Sequence, residues 1–311
     1  MNGHAIDDTY EPFSREPEYV NVNRLFIKGL HLNPPVRIVD LACGTGTLTD
    51  LLFEEVCAKS SRTNDGGLEK SPVRVLGLDI SEGQLLLAKQ HFAGAKLFDW
   101  PVRSGCEATD VKGRTVDFIQ ASAECLPLSD FSVDAVIMGN AIQLCADKEK
   151  VISEVHRILP QRGIFAFNTS FYAGTYVPGT ERFYVRWVEE AIGYIKKKDI
   201  ESRRQGSGGI PRKKGLAKPA FSRPWLSRSE YEVLLDRNRF DVTSVVERTV
   251  LLTQHSFETI GSYAGLAGVL LSGYPIPLAC EALERSAGPA LAAVNMDVIP
   301  RYWIEFVASK R

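Results

Sequence analysis

The 311-residue chain has almost no net charge and no long uninterrupted apolar run. Its formal charge of −1 argues against an overall electrostatic attraction to nucleic acid or to an acidic membrane. The first residues, MNGHAIDDTYEPFSREPEY, are polar and acidic, so we expect no signal peptide and a cytoplasmic protein. The most apolar later stretch, AGLAGVLLSGYPIPLAC, is short and is interrupted by glycine and proline, which disfavours a membrane span.

The six cysteines include no C-x-x-C pair, and no histidine lies at ligand spacing from them. We therefore expect neither a zinc site nor a disulfide framework, and we predict no metal in the functional site. Reduced, buried thiols are the favoured interpretation. The cysteines are Cys43, Cys57, Cys106, Cys125, Cys145 and Cys280.

Residues 36–170 alternate between short apolar runs and amphipathic stretches. The predicted strands are VRIVDLA, VRVLGLDI, VDFIQA, VDAVIMG and GIFAFNTS. The predicted helices cover Thr47 to Ala58, Ser81 to about Phe92, and Asp147 to Leu159. Strands and helices in this order form a parallel sheet that is covered on both faces. Two polar inserts, residues 59–72 and 93–115, are predicted to be surface loops.

The pattern changes after residue 170. A helix is predicted near Arg182 to Lys198, and SRSE at Ser227 is a capping box that begins a helix reaching about Asn238. FDVTSVVERTVLLT and RYWIEFVAS are predicted strands, and the residues between them are predicted to be helical. The resulting division is an N-terminal helical cover (1–35), a core (36–170), an insert with a basic loop (171–225), and the end of the core with a helical insert at 254–299 (226–311).

The segment VDLACGTGTLTDLL contains a glycine turn between a predicted strand and a predicted helix. A turn that binds a nicotinamide dinucleotide needs G-x-G-x-x-G, where the third glycine allows the helix to pack closely on the strand. Here Gly44 and Gly46 are followed by Thr49 at the third position, and the acid, Asp40, precedes the glycines. Both departures disfavour a dinucleotide.

This motif and the segments that follow it resemble the class I S-adenosylmethionine-dependent methyltransferases, whose usual first motif is acid-x-Gly-x-Gly-x-Gly. Ala42 stands at the first glycine, and Asp79 ends the second strand in LGLDIS, where the family has a ribose-binding acid. ASAECLPLSDFSVDAV and SEVHRILPQRGIF resemble later family segments, although Ser122 replaces the commoner Asp. The resemblance covers about residues 36–170. It implies an α/β fold: a doubly wound, Rossmann-like, mostly parallel sheet of seven strands, with a helical cap formed by inserts.

The resemblance implies S-adenosyl-L-methionine as the cofactor, bound at the carboxyl ends of the strands. Asp40 would organise the methionine ammonium, Asp79 would accept both ribose hydroxyls, and Ile80 would pack on the adenine face. Ser122 to Glu124 would border the polar edge of the adenine. The expected cofactor-binding residues are Asp40, Ala42, Gly44, Gly46, Asp79, Ile80, Ser122, Ala123, Glu124, Asn140, Gln143 and Tyr19.

Methyl transfer from a sulfonium is an in-line displacement that depends on positioning and desolvation, so no particular base is obligatory. An oxygen or carbon nucleophile still gains from loss of a proton. The catalytic candidates are His255, Tyr10 and Tyr176. The alternative is that they have no catalytic role, His255 being a solvated side chain and each tyrosine a packing residue. GNAIQL follows the fourth strand in place of N/D-P-P-[YF], which disfavours an amide or nucleobase nitrogen as the acceptor.

The favoured function is O- or C-methylation of a small apolar, aromatic or isoprenoid acceptor in secondary or lipid-quinone metabolism. Two alternatives stay open: an RNA methyltransferase, and a module that binds the cofactor without catalysis. Residues 194–223 contain ten basic and two acidic residues, a net charge of +8. We predict that this basic stretch is mobile and guides an anionic or carrier-protein-bound acceptor. RNA is the less favoured acceptor, because aromatic residues that could stack on its bases are scarce in the stretch.

The insert at 254–299 carries more apolar side chains than one amphipathic helix needs. A lid over a hydrophobic acceptor is favoured, while a homodimer interface and a membrane-contacting patch are the alternatives. The apolar residues are Tyr263, Leu266, Val269, Leu270, Leu271, Tyr274, Ile276, Leu278 and Leu283.

Overall fold

The computed structural model describes residues 11–33, 36–60, 72–92, 114–212 and 224–311. The order of strands and helices predicted from the sequence is the order observed. The strands are β1 Val36–Leu41, β2 Val73–Asp79, β3 Arg114–Gln120, β4 Ala135–Gly139, β5 Ile164–Thr169, β6 Phe240–Thr253 and β7 Val298–Lys310. The helices are α1 Glu11–Ser14, α2 Pro17–Gly29, α3 Thr47–Ser60, α4 Glu82–His91, α5 Lys148–Ile158, α6 Glu181–Arg204, α7 Arg228–Arg237, α8 Gln254–Gly261, α9 Ala264–Leu270 and α10 Ile276–Val294, and a short 3₁₀ helix covers Ile142–Leu144.

The seven strands form one sheet in the order β3-β2-β1-β4-β5-β7-β6. The first five of these are mutually parallel, and β7 is antiparallel to β5. Asp40 of β1 is in register with Gly77 of β2 and Ile137 of β4, so the carboxyl ends of the three strands lie together. The predicted doubly wound, mostly parallel sheet is confirmed.

Central strands β1 and β4 are apolar along most of their length because helices cover both faces of a parallel sheet. Ile38, Val39, Ala135 and Val136 are all fully buried. Asp40 is the exception within β1, a carboxylate that has no access to solvent. Burying an ionisable group in such a strand costs free energy, so its presence needs a chemical reason.

The chain divides into two compact units. The core unit comprises Val20–Ala173, Trp225–Arg248 and Trp303–Arg311, and the helical unit comprises Met1–Tyr19, Gly174–Pro224 and Thr249–Tyr302.

Within the helical unit, α6 packs extensively against α10. The indole N–H of Trp187 donates to the carbonyl of Leu283 at 2.8 Å, and the ring of Phe257 lies 5.3 Å from that of Trp187. Leu271 and Leu283, two of the apolar residues of the insert, are buried inside this unit. Part of the apolar surface of the insert is therefore the core of its own unit.

The basic stretch differs from its prediction. Its first part, up to Arg204, is the end of α6 rather than a mobile loop. Lys198 pairs with Glu281 of α10 at 2.6 Å, and Arg203 pairs with Asp199 at 2.8 Å, so opposite charges on neighbouring turns stabilise the helix. Residues 213–223 lie outside the described residues.

The two predicted surface loops are also shorter at their described ends. Lys59 and Ser60 complete α3, while Arg114 and Thr115 begin β3. Residues 61–71 and 93–113 lie outside the part of the chain that the structure describes. Within the described part, no helix is both long enough and apolar enough to cross a membrane.

Candidate cofactor-binding site

The glycine turn after β1 has left-handed backbone at three of five consecutive residues. The φ angles are +58° at Ala42, +55° at Gly44 and +85° at Gly46. A Cβ on Gly44 would have no atom within 4 Å, whereas a Cβ on Gly46 would lie 3.1 Å from the ring of Phe92. Gly44 therefore leaves open space beside the turn, and Gly46 allows close packing against α4.

Asp40 lies at the carboxyl end of β1, beneath this turn. The hydroxyl of Thr49 donates to its Oδ2 at 2.6 Å. Its Oδ1 is buried and finds no hydrogen-bond partner among the described residues. Burial raises the pKa of Asp40 to about 7, with a smaller contribution in the same direction from the negative charge of Asp79. A buried carboxylate oxygen without a partner is suited to receiving a cationic N–H donor.

Asp79 holds the other side of the turn. Its Oδ2 accepts the backbone N–H of Gly44, and its Oδ1 accepts the backbone N–H of Ser81, each at 2.9 Å. Ser81 is the N-cap of α4. Since a carboxylate oxygen can accept two hydrogen bonds, each oxygen of Asp79 retains capacity for a ribose hydroxyl. Ile80, which follows, is 70% exposed and offers an apolar surface to a planar ring.

The predicted adenine-edge residues form a tight turn after β3. The backbone N–H of Glu124 donates to Ser122 Oγ at 3.2 Å, and Cys125 pairs back with Ser122. Glu124 Oε1 accepts the backbone N–H of Asp147 at 3.1 Å. Ser122, Ala123 and Glu124 are all half-exposed, which leaves the turn accessible.

A buried polar network follows β4 and β5. Asn140 has φ +48°, and its Oδ1 accepts both the N–H and the hydroxyl of Ser170. Gln143 donates to the carbonyl of Asn140 at 2.6 Å and accepts from Thr169 at 2.8 Å. Asn168 accepts from the backbone N–H of Asn140 and donates to Asn23 of α2. The amide of Gln143 thus holds the backbone of Asn140 in its left-handed conformation.

The catalytic candidates are not brought to the glycine turn by any described contact. His255 begins α8 and is 73% exposed, with Nε2 3.3 Å from Glu16 and Nδ1 3.6 Å from Glu258. Tyr176 packs on Tyr184 and on the guanidinium of Arg301, and burial raises the pKa of its phenol. Tyr10 lies outside the described residues.

Tyr19, expected at the cofactor, is buried and packs edge-on against Phe13. All three catalytic assignments, and that of Tyr19, stay predictions.

Sequence reasoning missed Thr49, Asn23 and Asn168. Thr49 lies nine residues beyond Asp40 and has the appearance of an ordinary helix residue. Asn23 and Asn168 are 145 residues apart, so only the folded chain reveals their contact. A polar residue inside an otherwise apolar strand, such as Asn168 in IFAFNT, was the available signal.

The residues present fit S-adenosylmethionine. The unpartnered oxygen of Asp40 matches a primary ammonium, the open space at Gly44 allows a ligand to approach the backbone, and Asp79 matches a pair of hydroxyls. A dinucleotide would instead need a third glycine where this chain has Thr49, and it has no use for a buried acid before the glycines.

Comparison with known proteins agrees with this geometry. Residues 39–167 match the family described as methyltransferase domain. A ubiquinone/menaquinone biosynthesis C-methyltransferase of Campylobacter jejuni is 27% identical over 56% of this chain and 62% of its own length. A demethylmenaquinone methyltransferase of Symbiobacterium thermophilum is 32% identical over 46% of each chain. A malonyl-[acyl-carrier protein] O-methyltransferase of Methylococcus capsulatus is 34% identical over 45% of this chain and 39% of its own.

The chain thus spans less than two thirds of the length of these curated relatives. Among solved structures, MccD protein aligns with a TM-score of 0.52 at 14% identity, over 98% of this chain and 100% of that one. A protein of Galdieria sulphuraria, proposed to be a sarcosine dimethylglycine methyltransferase, aligns with a TM-score of 0.51 at 15% identity, over 97% and 91%. Both likenesses concern the fold alone. The motifs and the sheet of this chain therefore agree with the family match, which places a methyltransferase domain at residues 39–167.

Proposed function

We propose that this protein transfers the methyl group of S-adenosylmethionine to oxygen or carbon of a small apolar acceptor with an aromatic or isoprenoid part. The observation that carries the proposal is Asp40 at the end of β1, a fully buried carboxyl group with one oxygen that has no hydrogen-bond partner among the described residues. Burying a carboxylate oxygen without a hydrogen-bond partner costs on the order of several kcal/mol. A protein that binds no cationic ligand at Asp40 would gain nothing in return for this cost.

The cofactor supplies an electrophilic methyl group on a sulfonium. The residues of the chain bind it: Asp40 receives the ammonium, Asp79 receives the ribose hydroxyls, and Ile80 covers one face of the base. The rigid turn between β1 and α3 keeps these groups in place before binding, which is how positioning lowers a displacement barrier. His255 and Tyr176 are the candidates for taking a proton from the acceptor.

Two observations support the acceptor class. The relatives reported above, at 27–34% identity, are named as a ubiquinone/menaquinone biosynthesis C-methyltransferase, a demethylmenaquinone methyltransferase and a malonyl-[acyl-carrier protein] O-methyltransferase. The insert of the helical unit carries half-buried apolar side chains, including Leu266, Val269 and Leu270. Apolar and aromatic linings are typical of sites for small hydrophobic ligands.

The test has two steps. Titration calorimetry with S-adenosylhomocysteine should show binding, and Asp79→Ala should weaken it by about 1.5–3 kcal/mol because a charged hydrogen-bonding group is lost. Asp79→Asn, which keeps one acceptor, should weaken it less. Unchanged affinity in Asp79→Ala would refute the ribose assignment, and tighter binding of a nicotinamide dinucleotide would refute the cofactor.

The second step measures S-adenosylhomocysteine release with demethylated quinols, phenols, prenyl compounds, malonyl-carrier protein and transfer RNA. We expect turnover with a quinol, phenol or prenyl compound. Turnover with transfer RNA alone would favour the RNA alternative. Binding without turnover of any acceptor would favour the non-catalytic module.

A further inference from the structure

The loop between β3 and β4, residues 121–134, is held in two different ways along its length. Its first part, Ser122 to Cys125, is a half-exposed turn. Its second part is anchored by Leu126 and Leu128, whose side chains are buried. The backbone polar groups of this second part need partners, because they are withdrawn from water.

Arg157 of α5 supplies most of those partners. Its guanidinium donates to the carbonyl of Leu128 at 2.7 Å and to that of Leu126 at 3.1 Å. It also donates to Asp130 at 2.8 Å, and to both oxygens of Glu154 at 2.8 and 2.9 Å. These contacts use all five N–H donors that a guanidinium possesses.

Glu154 completes the arrangement from the other side. While it pairs with Arg157, its Oε2 accepts the backbone N–H of Leu126 at 2.8 Å. Leu126 is therefore fixed through its N–H by Glu154 and through its carbonyl by Arg157. The next residues towards β3 are the turn of Ser122 to Glu124, so the position of that turn depends on this pair.

We propose that Arg157 is a positioning residue that sets the Ser122–Glu124 turn for recognition of the polar edge of adenine, an inference that rests on the proposed function. The planar fork of arginine reaches two carbonyls and two carboxylates at once, whereas lysine has a single ammonium. On its other side the turn is held by Ser122 Oγ, which accepts the N–H of Glu124, and by Glu124 Oε1, which accepts the N–H of Asp147. Loss of the fork leaves the turn present but displaced.

The experiment compares two ligands that differ only at the edge of the base, S-adenosylhomocysteine and S-inosylhomocysteine, by titration calorimetry. One hydrogen-bonding edge is worth about tenfold in affinity, so the native protein should prefer the adenosyl ligand by about that factor. Arg157→Lys should reduce the preference to about twofold or less. Glu154→Gln should have the same effect, since one of the two carboxylate oxygens that accept from Arg157 becomes an NH2 donor that faces an N–H donor.

The matched control is Arg37→Lys. Arg37 also pairs through two nitrogens with a carboxylate, Asp134, in the same unit, but at the amino end of β1. This variant should keep the tenfold preference. Amide hydrogen exchange should become faster at residues 122–126 in Arg157→Lys and unchanged there in Arg37→Lys.

Two results would overturn the inference. One is a native protein that binds both ligands equally, since the turn would then not read the base. The other is that Arg157→Lys and Glu154→Gln each bind both ligands more weakly while the ratio of the two affinities stays at its native value. That result would show that Arg157 and Glu154 have a purely structural role. A native protein that binds neither ligand would refute the proposed function instead.

Discussion

Asp40 combines burial with an incomplete set of hydrogen bonds, and its burial makes its protonation state sensitive to pH near neutrality. In the folded chain its pKa is raised from 3.8 to about 7 by desolvation. The folded state therefore binds a proton more tightly than the unfolded state, so the contribution of Asp40 to stability is present below about pH 4 and is lost as pH rises to 7. The full difference corresponds to about 4 kcal/mol.

Asp40→Asn should remove this dependence. The variant without ligand should be more stable than the native protein at pH 7, by up to about 4 kcal/mol, and the gap should narrow by up to about 1.4 kcal/mol for each pH unit below 7. Urea unfolding at pH 5.5, 6.3, 7 and 8 measures it. A gap that does not change with pH would show that Asp40 is ionised throughout.

The same residue should make ligand affinity depend on pH in the opposite direction. An ammonium binds the ionised carboxylate, so affinity for S-adenosylhomocysteine should rise as pH increases towards 7, by up to about tenfold per unit. Asp40→Asn should bind on the order of ten- to a hundredfold more weakly at pH 7.5, with little pH dependence. Calorimetry in two buffers of different ionisation enthalpy would reveal the proton released on binding.

The two glycines of the motif, Gly44 and Gly46, differ in the atoms that surround them. Gly44→Ala meets no atom within 4 Å, so it should cost only about 1–2 kcal/mol of backbone strain while the added methyl obstructs the ligand. Gly46→Ala should cost about 3 kcal/mol, because its Cβ would also lie 3.1 Å from Phe92. The free energy of unfolding and the affinity for S-adenosylhomocysteine, measured on both variants, should therefore distinguish a loss of packing at Gly46 from a loss of ligand contact at Gly44.

Phe92→Leu in the Gly46→Ala background is the check on this reasoning. It should restore part of the stability, since the smaller side chain relieves the contact. Equal loss of stability in the two alanine variants would contradict the distinction.

Among the helices and strands, those with a clear period were predictable from sequence. The strand FDVTSVVERTVLLT was predicted with its observed bounds, and the capping box of Ser227 and Glu230 is present. Helix α6 extends six residues beyond its predicted end at Lys198, because Glu, Ser and Arg continue a helix when opposite charges pair at i and i+4. The high density of charge in the sequence had favoured a loop at that point.

The contact partners of Asp40 and Asn168 were not predictable, since they depend on side chains that meet only in the folded sheet.

The end of α6 presents a basic surface formed by Lys196, Lys197 and Arg204, all exposed. If the acceptor carries an anionic group, this surface should attract it over distances of about one Debye length, roughly 10 Å at 0.1 M salt. In the native protein kcat/KM should then fall as salt is added, and the triple change to alanine should flatten that dependence. Lys198→Ala is the control, because Lys198 is already paired with Glu281. Parallel salt curves for the triple variant and the native protein would show that the surface is only solvated.

The chain as a whole consists of a core unit that contains the cofactor candidates and a helical unit. The glycine turn, Asp40 and Asp79 all belong to the core unit, whereas α8, α9 and α10 belong to the helical unit. Since Asp40, Asp79 and the glycine turn lie in the core unit, we propose that the helical unit determines which acceptor is used. Leu270, at the end of α9, and Tyr274, whose ring lies 4.9 Å from the guanidinium of Arg212, are half-buried apolar residues there.

Leu270→Asp and Tyr274→Ala should raise the KM for an apolar acceptor about tenfold or more, since burial of a leucine side chain is worth about 1.5–3 kcal/mol. The dissociation constant of S-adenosylhomocysteine should stay within about twofold of the native value, because no core residue changes. Val185→Asp, a change at an exposed apolar residue of α6 in the same unit, should leave both constants unaltered. Light scattering on the same samples distinguishes the alternative. If Leu270→Asp converts a dimer into a monomer with native KM, the apolar residues of the insert form an interface between copies of the chain and do not bind the acceptor.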